Sequence, residues 1–103
     1  MLKVYGSEHC PDCTACKASL DASGIAYDFV DITGSMPALK EFLAIRDTNS
    51  LYDEVRARHS VGIPTLVEED GAMTLDWEGW MKAHNGKIVE PKAACSLDHK
   101  GNC

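Results

Sequence analysis

The sequence predicts a single α/β domain, built from a strand–helix–strand unit and a later antiparallel hairpin. Three observations support this fold class. Segments rich in β-forming residues flank one helical segment near the N-terminus, and Asp70-Gly71 is a strong two-residue hairpin turn between two further strands. The third is length, because 103 residues are enough for one hydrophobic core and too few for two. One site should therefore carry the function.

The first half of the predicted unit is a strand followed by a helix. Residues 2–5 alternate in polarity and run into a glycine, which is typical of a short strand entering a loop. Pro11 is favoured at a first helical position and Gly24 can end a helix, so we predict a helix over residues 11–23. Residues 25–32 are again rich in β-formers and return after a single helix, which predicts a second strand parallel to the first.

Two helical pieces should follow this unit. Residues 35–46 are amphipathic, with Leu39 and Phe42 spaced for one face. The polar cluster at residues 47–50 interrupts the pattern. A second helical piece is predicted over residues 51–59.

The last elements are the hairpin and one more helix. Strands are predicted over residues 65–69 and 72–75, and a helix over 77–85 that ends at Gly86. The remaining residues lack periodicity. We therefore expect the domain to end at residue 85 and to be followed by a C-terminal tail, residues 86–103.

Charge and hydropathy exclude two classes of partner. The formal net charge of -6 repels phosphate backbones, and no stripe of Lys and Arg offsets it locally, so nucleic acid is excluded as a partner. The N-terminus lacks the long apolar stretch of a signal peptide, and no run approaches membrane-spanning length. These features predict a cytoplasmic protein that does not bind membranes.

Three of the five cysteines, Cys10, Cys13 and Cys16, lie within seven residues. Cytosolic reductants remove structural disulfides, so clustered cysteines there are more often catalytic or metal-bound. Cys10 falls at the predicted helix N-terminus, where free N–H groups and the helix dipole stabilise a thiolate, and this predicts a Cys10 pKa below about 8.5. Cys13 lies one turn later on the same side. We therefore expect Cys10 to attack a disulfide and Cys13 to resolve the product.

The neighbours of Cys10 act in opposite directions. Pro11 fixes the start of the helix and leaves the N–H groups of Asp12 and Cys13 free to point at the sulfur. The negative charge of Asp12 disfavours a thiolate, whereas Lys17 and a protonated His9 would favour it. The sequence does not decide which neighbour dominates.

Two segments together resemble a known family. Val4-Tyr5 leading to Cys10-Pro11-Asp12-Cys13 with Lys17, and Gly62-Ile63-Pro64-Thr65, are similar to the active-site turn and the cis-proline loop of glutaredoxins. The resemblance covers residues 1 to about 83. It implies an α/β, thioredoxin-like (glutaredoxin-type) fold: a βαβ unit followed by a helical segment, a ββ hairpin and a C-terminal helix.

The resemblance also implies an activity, thiol–disulfide oxidoreduction. Cys10 would be the attacking cysteine and Cys13 the resolving one. Pro64 would follow a cis bond, and Ile63 would present its backbone to the substrate. Residues expected to contact the substrate are Pro11, Asp12, Ile63 and Pro64. The expected partners are a protein or small-molecule disulfide and a thiol reductant, either glutathione or a thioredoxin-reductase-like enzyme. We expect a monomer without a cofactor.

The sequence departs from the family where glutathione is held. Asp12 replaces the usual tyrosine, Ser7 replaces the usual lysine, and residues 76–79 replace a Gly-Gly segment followed by acidic residues. The stretch between Ile32 and Pro64 is also longer than in short glutaredoxins. Because glutathione is negatively charged, a lost cation and an added Asp should weaken glutathione-dependent turnover.

Three residues are candidates to replace the missing positive charge. Lys3, Lys17 or Arg58 could supply it from a different direction, and the sequence leaves this open.

The alternative function is a metal-binding module. Cys10, Cys13 and Cys16 could bind zinc or an iron–sulfur cluster, with a fourth ligand recruited from the tail. For Cys16 we favour a packed position on the helix, where a free cysteine behaves as a small hydrophobe. Candidate tail ligands are Cys95, His99 and Cys103. The two tail cysteines could also form a reversible disulfide, relay oxidation from the main pair, or have no function.

Overall fold

The computed structural model describes residues 1–89 of the chain. Within them a four-stranded mixed sheet is flanked by four α-helices and a short 3₁₀ turn. The elements in chain order are β1 Leu2–Gly6, α1 Pro11–Ala22, β2 Tyr27–Asp31, α2 Met36–Arg46, the 3₁₀ turn Ser50–Tyr52, α3 Asp53–Ala57, β3 Thr65–Val67, β4 Met73–Thr74 and α4 Trp77–Ala83.

The strand order in the sheet is β2-β1-β3-β4. β1 is parallel to β2, with Val4 opposite Phe29, and antiparallel to β3, with Val4 opposite Leu66. β3 and β4 are antiparallel and form the hairpin. The predicted α/β, thioredoxin-like arrangement is confirmed, including the parallel βαβ unit.

Two buried clusters divide the core. Alternate residues of β1 enter different clusters, as expected of a strand covered on both faces. The Tyr52 cluster consists of Tyr5, Cys10, Cys13, Ile32, Phe42, Tyr52, Val55 and Ile63. The Leu20 cluster consists of Leu2, Val4, Cys16, Leu20, Leu66, Trp77 and Met81. Helix α1 contributes to both clusters, and its N-terminal end belongs to the Tyr52 cluster.

Two elements are shorter than predicted, β2 at its start and α4 at its end, because the residues concerned close a helix instead. Ile25 was expected to start β2, but its N–H donates to the Leu20 carbonyl at 3.0 Å and closes α1 beyond Gly24, whose φ is +69°. Asn85 was expected inside the last helix, but with φ 58° it takes the left-handed position beyond the end of α4. Gly86 then donates to the Met81 carbonyl at 2.8 Å.

The segment after α4 returns along α1. The Lys87 N–H donates to Ser23 Oγ at 2.7 Å, and the Val89 N–H donates to Ser19 Oγ at 2.9 Å. The predicted boundary after residue 85 stays a prediction. Residues 90–103, with Cys95, His99 and Cys103, lie outside the described residues. None of the helices within residues 1–89 has both the length and the apolar character needed to cross a membrane.

Candidate active site

The predicted cysteine turn forms the N-terminus of α1. Cys10 occupies the N-cap position with extended backbone, and Pro11 begins the helix, as the sequence predicts. The Cys10 carbonyl accepts the Thr14 N–H at 3.1 Å, so the helix starts directly at Cys10. Cys10 is 5 % exposed and Cys13 is fully buried, and both belong to the Tyr52 cluster.

Ser7 organises the loop that carries Cys10. Its backbone carbonyl accepts the Cys10 N–H at 3.2 Å, and its Oγ accepts the His9 N–H at 3.0 Å. The same hydroxyl lies 2.9 Å from Thr33 Oγ1. In the sequence, Ser7 stands out only as the residue that replaces the family's lysine. The sequence contains one signal for its role in the loop: Ser7 lies two residues before His9, the spacing at which a serine hydroxyl accepts a backbone N–H and closes a turn.

The Cys13 sulfur lies against the end of β1. A Cβ added to Gly6 would stand 2.9 Å from Cys13 Sγ, so glycine is needed for this close approach. Burial raises the pKa of the Cys13 thiol to about 12, and the Ser7 backbone N–H, which donates to the sulfur, lowers it in part. Among charged neighbours, Asp12 raises this pKa and Lys17 lowers it. Cys13 is therefore a protonated thiol at neutral pH.

Cys16 lies one turn further along α1, in the Leu20 cluster rather than beside the thiol pair. It is fully buried, and burial raises its pKa to about 12. These surroundings agree with the expected packing role. Within residues 1–89 no group of three or more His, Cys, Asp or Glu side chains is placed to hold a metal ion. The metal-binding alternative thus gains no support from the described part of the chain.

The loop before β3 confirms the predicted cis bond, between Ile63 and Pro64. Thr65 Oγ1 donates to the Gly62 carbonyl at 2.7 Å and lies 2.7 Å from the buried Tyr52 hydroxyl. Gly62 has φ +97°, and a Cβ there would stand 2.9 Å from the Tyr52 ring. Two buried hydroxyls and a required glycine therefore fix the loop.

Arg46 holds the chain just before this loop. Its guanidinium donates to the Ser60 carbonyl at 2.6 Å and to the Val61 carbonyl at 2.9 Å. Arg56 donates in turn to the Arg46 and Asn49 carbonyls. These hydrogen bonds connect the predicted polar cluster, residues 47–50, to the segment that leads to Ile63.

A groove of about 170 Å³ joins the cysteine turn to the cis-proline loop. Its lining residues are Asp12, Val55, Arg58, Ser60, Gly62, Ile63, Pro64 and Leu75. Three of the four predicted substrate-binding residues therefore share one surface. Pro11 begins α1 beside Asp12 and is not among the lining residues.

The three candidate cations differ in their surroundings. Lys3 pairs with Glu41 at 3.4 Å. Lys17 pairs with Glu8 and lies 4.1 Å from the centre of the Phe29 ring. Arg58 is exposed and lines the groove. Of the three residues named from the sequence, Arg58 is the one that lines the groove.

Comparison with known proteins identifies the family of the chain. The family model described as glutaredoxin matches residues 2–69, which include the cysteine turn and the cis-proline loop. A relative from Haemophilus influenzae named "Uncharacterized protein" is 38% identical over 73 residues, covering 71% of this chain and 85% of the relative. No solved structure matches the chain significantly. With the observed fold and cysteine turn, these findings show that the chain belongs to the glutaredoxin family.

Proposed function

We propose that this protein reduces disulfides by dithiol exchange, with Cys10 attacking and Cys13 resolving. One observation carries the proposal. Cys10 is the N-cap of α1, Cys13 is packed in the same cluster one turn later, and Asp12 between them lines the same groove as Ile63 and Pro64. An extended substrate could pair with the backbone of Ile63 while its disulfide meets Cys10.

The two steps balance as follows. The Cys10 thiolate attacks one sulfur of the substrate, forms a mixed disulfide and releases the other half of the substrate as a thiolate, which takes up a proton from solvent. Cys13 then loses its proton and attacks Cys10 Sγ, which releases the second substrate thiol and leaves a Cys10–Cys13 disulfide. A thiol reductant returns two electrons and two protons to the pair.

The different surroundings of the two sulfurs support this order. The helix N-terminus favours a thiolate on Cys10. Cys13 is fully buried and its pKa is raised to about 12, so it stays protonated until a mixed disulfide stands beside it. A thiol that is deprotonated only during resolution does not compete for the first attack.

The groove bears on the choice of reductant. Asp12 lines the groove and places a negative charge there. Ser7 is buried within the loop, so the position at which the family has a lysine carries no positive charge. We therefore propose weak turnover with glutathione and reduction by another dithiol system or a flavoenzyme. The activity requires a reducing compartment such as the cytoplasm, and a monomer is sufficient because one chain supplies both cysteines.

A turnover assay with a small disulfide tests the cysteine assignment. Cys10→Ser should abolish reduction of bis(2-hydroxyethyl) disulfide in the presence of dithiothreitol, after subtraction of the uncatalysed rate. Cys16→Ala is the matched control and should keep more than half of the activity, because Cys16 packs outside the Tyr52 cluster. Undiminished turnover by Cys10→Ser would contradict the proposal.

A second assay tests the reductant. Turnover of the same disulfide is followed with glutathione plus glutathione reductase, and separately with thioredoxin reductase, in each case through NADPH oxidation. We expect the glutathione rate at millimolar glutathione to be at least tenfold below that of an ordinary glutaredoxin run in parallel. Equal rates would contradict weak glutathione dependence and would leave the roles of Cys10 and Cys13 intact.

A further inference from the structure

Ser7 is a buried residue whose polar groups are all engaged. It is 2 % exposed. Its carbonyl accepts the Cys10 N–H, its Oγ accepts the His9 N–H and contacts Thr33 Oγ1, and its own N–H donates to Cys13 Sγ. One side chain and the two peptide units on either side of Ser7 thus link the attacking cysteine, the resolving cysteine and the segment after β2.

The direction of the hydrogen bonds in this network can be assigned. Thr33 donates to Asp31 Oδ1 through its hydroxyl at 2.6 Å and its N–H at 3.0 Å. These bonds lower the pKa of Asp31, so the carboxylate is ionised and can only accept. The single Thr33 hydroxyl hydrogen is thereby used, and Ser7 must donate its own to Thr33. The Ser7 oxygen then accepts from His9, so every bond has one orientation.

The consequence concerns the Cys13 sulfur. It is confined by the backbone of Gly6, where an added Cβ would stand 2.9 Å away, and receives the N–H of Ser7. An N–H donor aimed at a buried sulfur stabilises the charge that appears there on deprotonation. The oriented chain from Asp31 through Thr33 fixes the peptide that supplies this donor.

We propose that Ser7 is a positioning residue for the resolving step: clamped by Thr33 and Asp31, it holds its N–H at Cys13 Sγ while that sulfur loses its proton and attacks Cys10. This rests on the proposed function. The bond that forms joins Cys13 Sγ to Cys10 Sγ, the bond that breaks joins Cys10 Sγ to the substrate sulfur, and the substrate leaves as a thiolate.

A two-phase reaction separates this step from the first attack. The full-length chain carrying Cys95→Ser and Cys103→Ser is reduced and mixed with 5,5′-dithiobis(2-nitrobenzoate) in a stopped-flow instrument. Attack by Cys10 releases one coloured thiolate, and resolution by Cys13 releases a second. Ser7→Ala should slow the second phase about tenfold and leave the first within threefold, since losing the hydroxyl frees the peptide that faces Cys13.

Thr33 provides a graded test and a rescue. Thr33→Val should slow the second phase about threefold, less than Ser7→Ala, because Thr33 is exposed and water can replace it. Thr33→Ser keeps the hydroxyl and should restore the rate. The matched control is Thr48→Val, whose hydroxyl donates to the Ala44 carbonyl at 2.7 Å beyond the far end of α2 and should affect neither phase.

The pH dependence distinguishes positioning from general loosening. In Ser7→Ala the second phase should require a higher pH, because the Cys13 thiolate loses an oriented donor while the charged residues around it, Asp12, Lys17 and Asp31, are unchanged. An unchanged second phase in both Ser7→Ala and Thr33→Val, or equal slowing of both phases, overturns the proposal. Release of a single equivalent by the parent chain contradicts dithiol exchange itself. If Ser7→Ala does not fold, the Thr33 variants decide.

Discussion

Cys13 and Cys16 lie three residues apart on α1 and are equally buried, but they have different neighbours. Both are fully buried, and burial raises both pKa values to about 12. Cys13 receives the Ser7 N–H and shares a cluster with Cys10, whereas Cys16 packs in the Leu20 cluster. Burial therefore does not distinguish the two thiols. The Ser7 donor and the shared cluster with Cys10 do.

The same contrast holds for the two clusters as a whole. In the Tyr52 cluster, the tyrosine hydroxyls have polar partners: Tyr52 meets Thr65 at 2.7 Å and Tyr5 donates to Glu41 at 2.5 Å. The buried members of the Leu20 cluster other than Cys16 are Leu2, Val4, Leu20, Leu66, Trp77 and Met81. The Tyr52 cluster thus makes a polar contact with the residue after Pro64, and the Leu20 cluster supplies apolar packing.

The largest expected difference between Cys13 and Cys16 is in the trapping of partner proteins as mixed disulfides. Cys13→Ser keeps the attacking thiol and removes the resolving one, so mixed disulfides on Cys10 should accumulate, at least a hundredfold above the parent chain. Cys16→Ala, one turn away, should trap nothing. Non-reducing gels and mass spectrometry of thiol-blocked lysate measure the adducts. Adducts from Cys10→Ser, and none from Cys13→Ser, would reverse the two roles.

The second test is alkylation as a function of pH. With a pKa of about 12, only roughly one Cys13 or Cys16 thiol in 100,000 is ionised at pH 7, and both are buried. After reduction, iodoacetamide at pH 7 should therefore modify Cys10 more than a thousandfold faster than either. Site-resolved mass spectrometry measures the rates. Comparable rates at Cys10 and Cys13 would show that the N-cap does not activate Cys10.

Local signals in the sequence explain what could be predicted. Pro11 at a helix start, a cysteine pair one turn apart and Ile63-Pro64 before a strand each depend on a few adjacent residues, and each occurs as expected. The clamp on Ser7 depends on Thr33, 26 residues away in the sequence. Such a contact follows from the pairing of β1 with β2 and has no local pattern.

The placement of Arg58 was undecided for the same reason. Its presence in the groove follows from how α3 and the loop after it pack beside the cysteine turn, which residue spacing does not report. Two of the element ends that differ, at Ile25 and Asn85, were set by competition between hydrogen bonds at helix ends and the flanking structure. The hairpin strands, predicted over residues 65–69 and 72–75, are also shorter, Thr65–Val67 and Met73–Thr74.

A third test separates stability from activity. Leu20→Ala removes a fully buried side chain from the Leu20 cluster and should lower the free energy of unfolding by about 2–5 kcal/mol, with turnover per folded molecule unchanged. Tyr52→Phe removes only a hydroxyl, at a cost of about 1–2 kcal/mol, but takes away one of the two partners of Thr65 Oγ1 and should lower turnover. Urea unfolding and the disulfide assay measure both. Loss of turnover in folded Leu20→Ala would contradict the division between clusters.

The smallest expected effect concerns charge in the groove, where Arg58 and Asp12 lie on the same surface and should act in opposite directions on glutathione. Glutathione carries net negative charge, so Arg58→Gln should lower kcat/KM for glutathione about three- to tenfold and Asp12→Asn should raise it about threefold, both less at high salt because exposed charges are screened. Lys82 is an exposed cation on α4 that does not line the groove, so Lys82→Gln is the control and should leave kcat/KM for glutathione unchanged.

The measurement is the glutathione-coupled assay at low and high ionic strength. If Lys82→Gln lowers kcat/KM as much as Arg58→Gln, net charge rather than the groove governs glutathione binding. If Asp12→Asn has no effect, the aspartate between the cysteines is not what weakens glutathione binding.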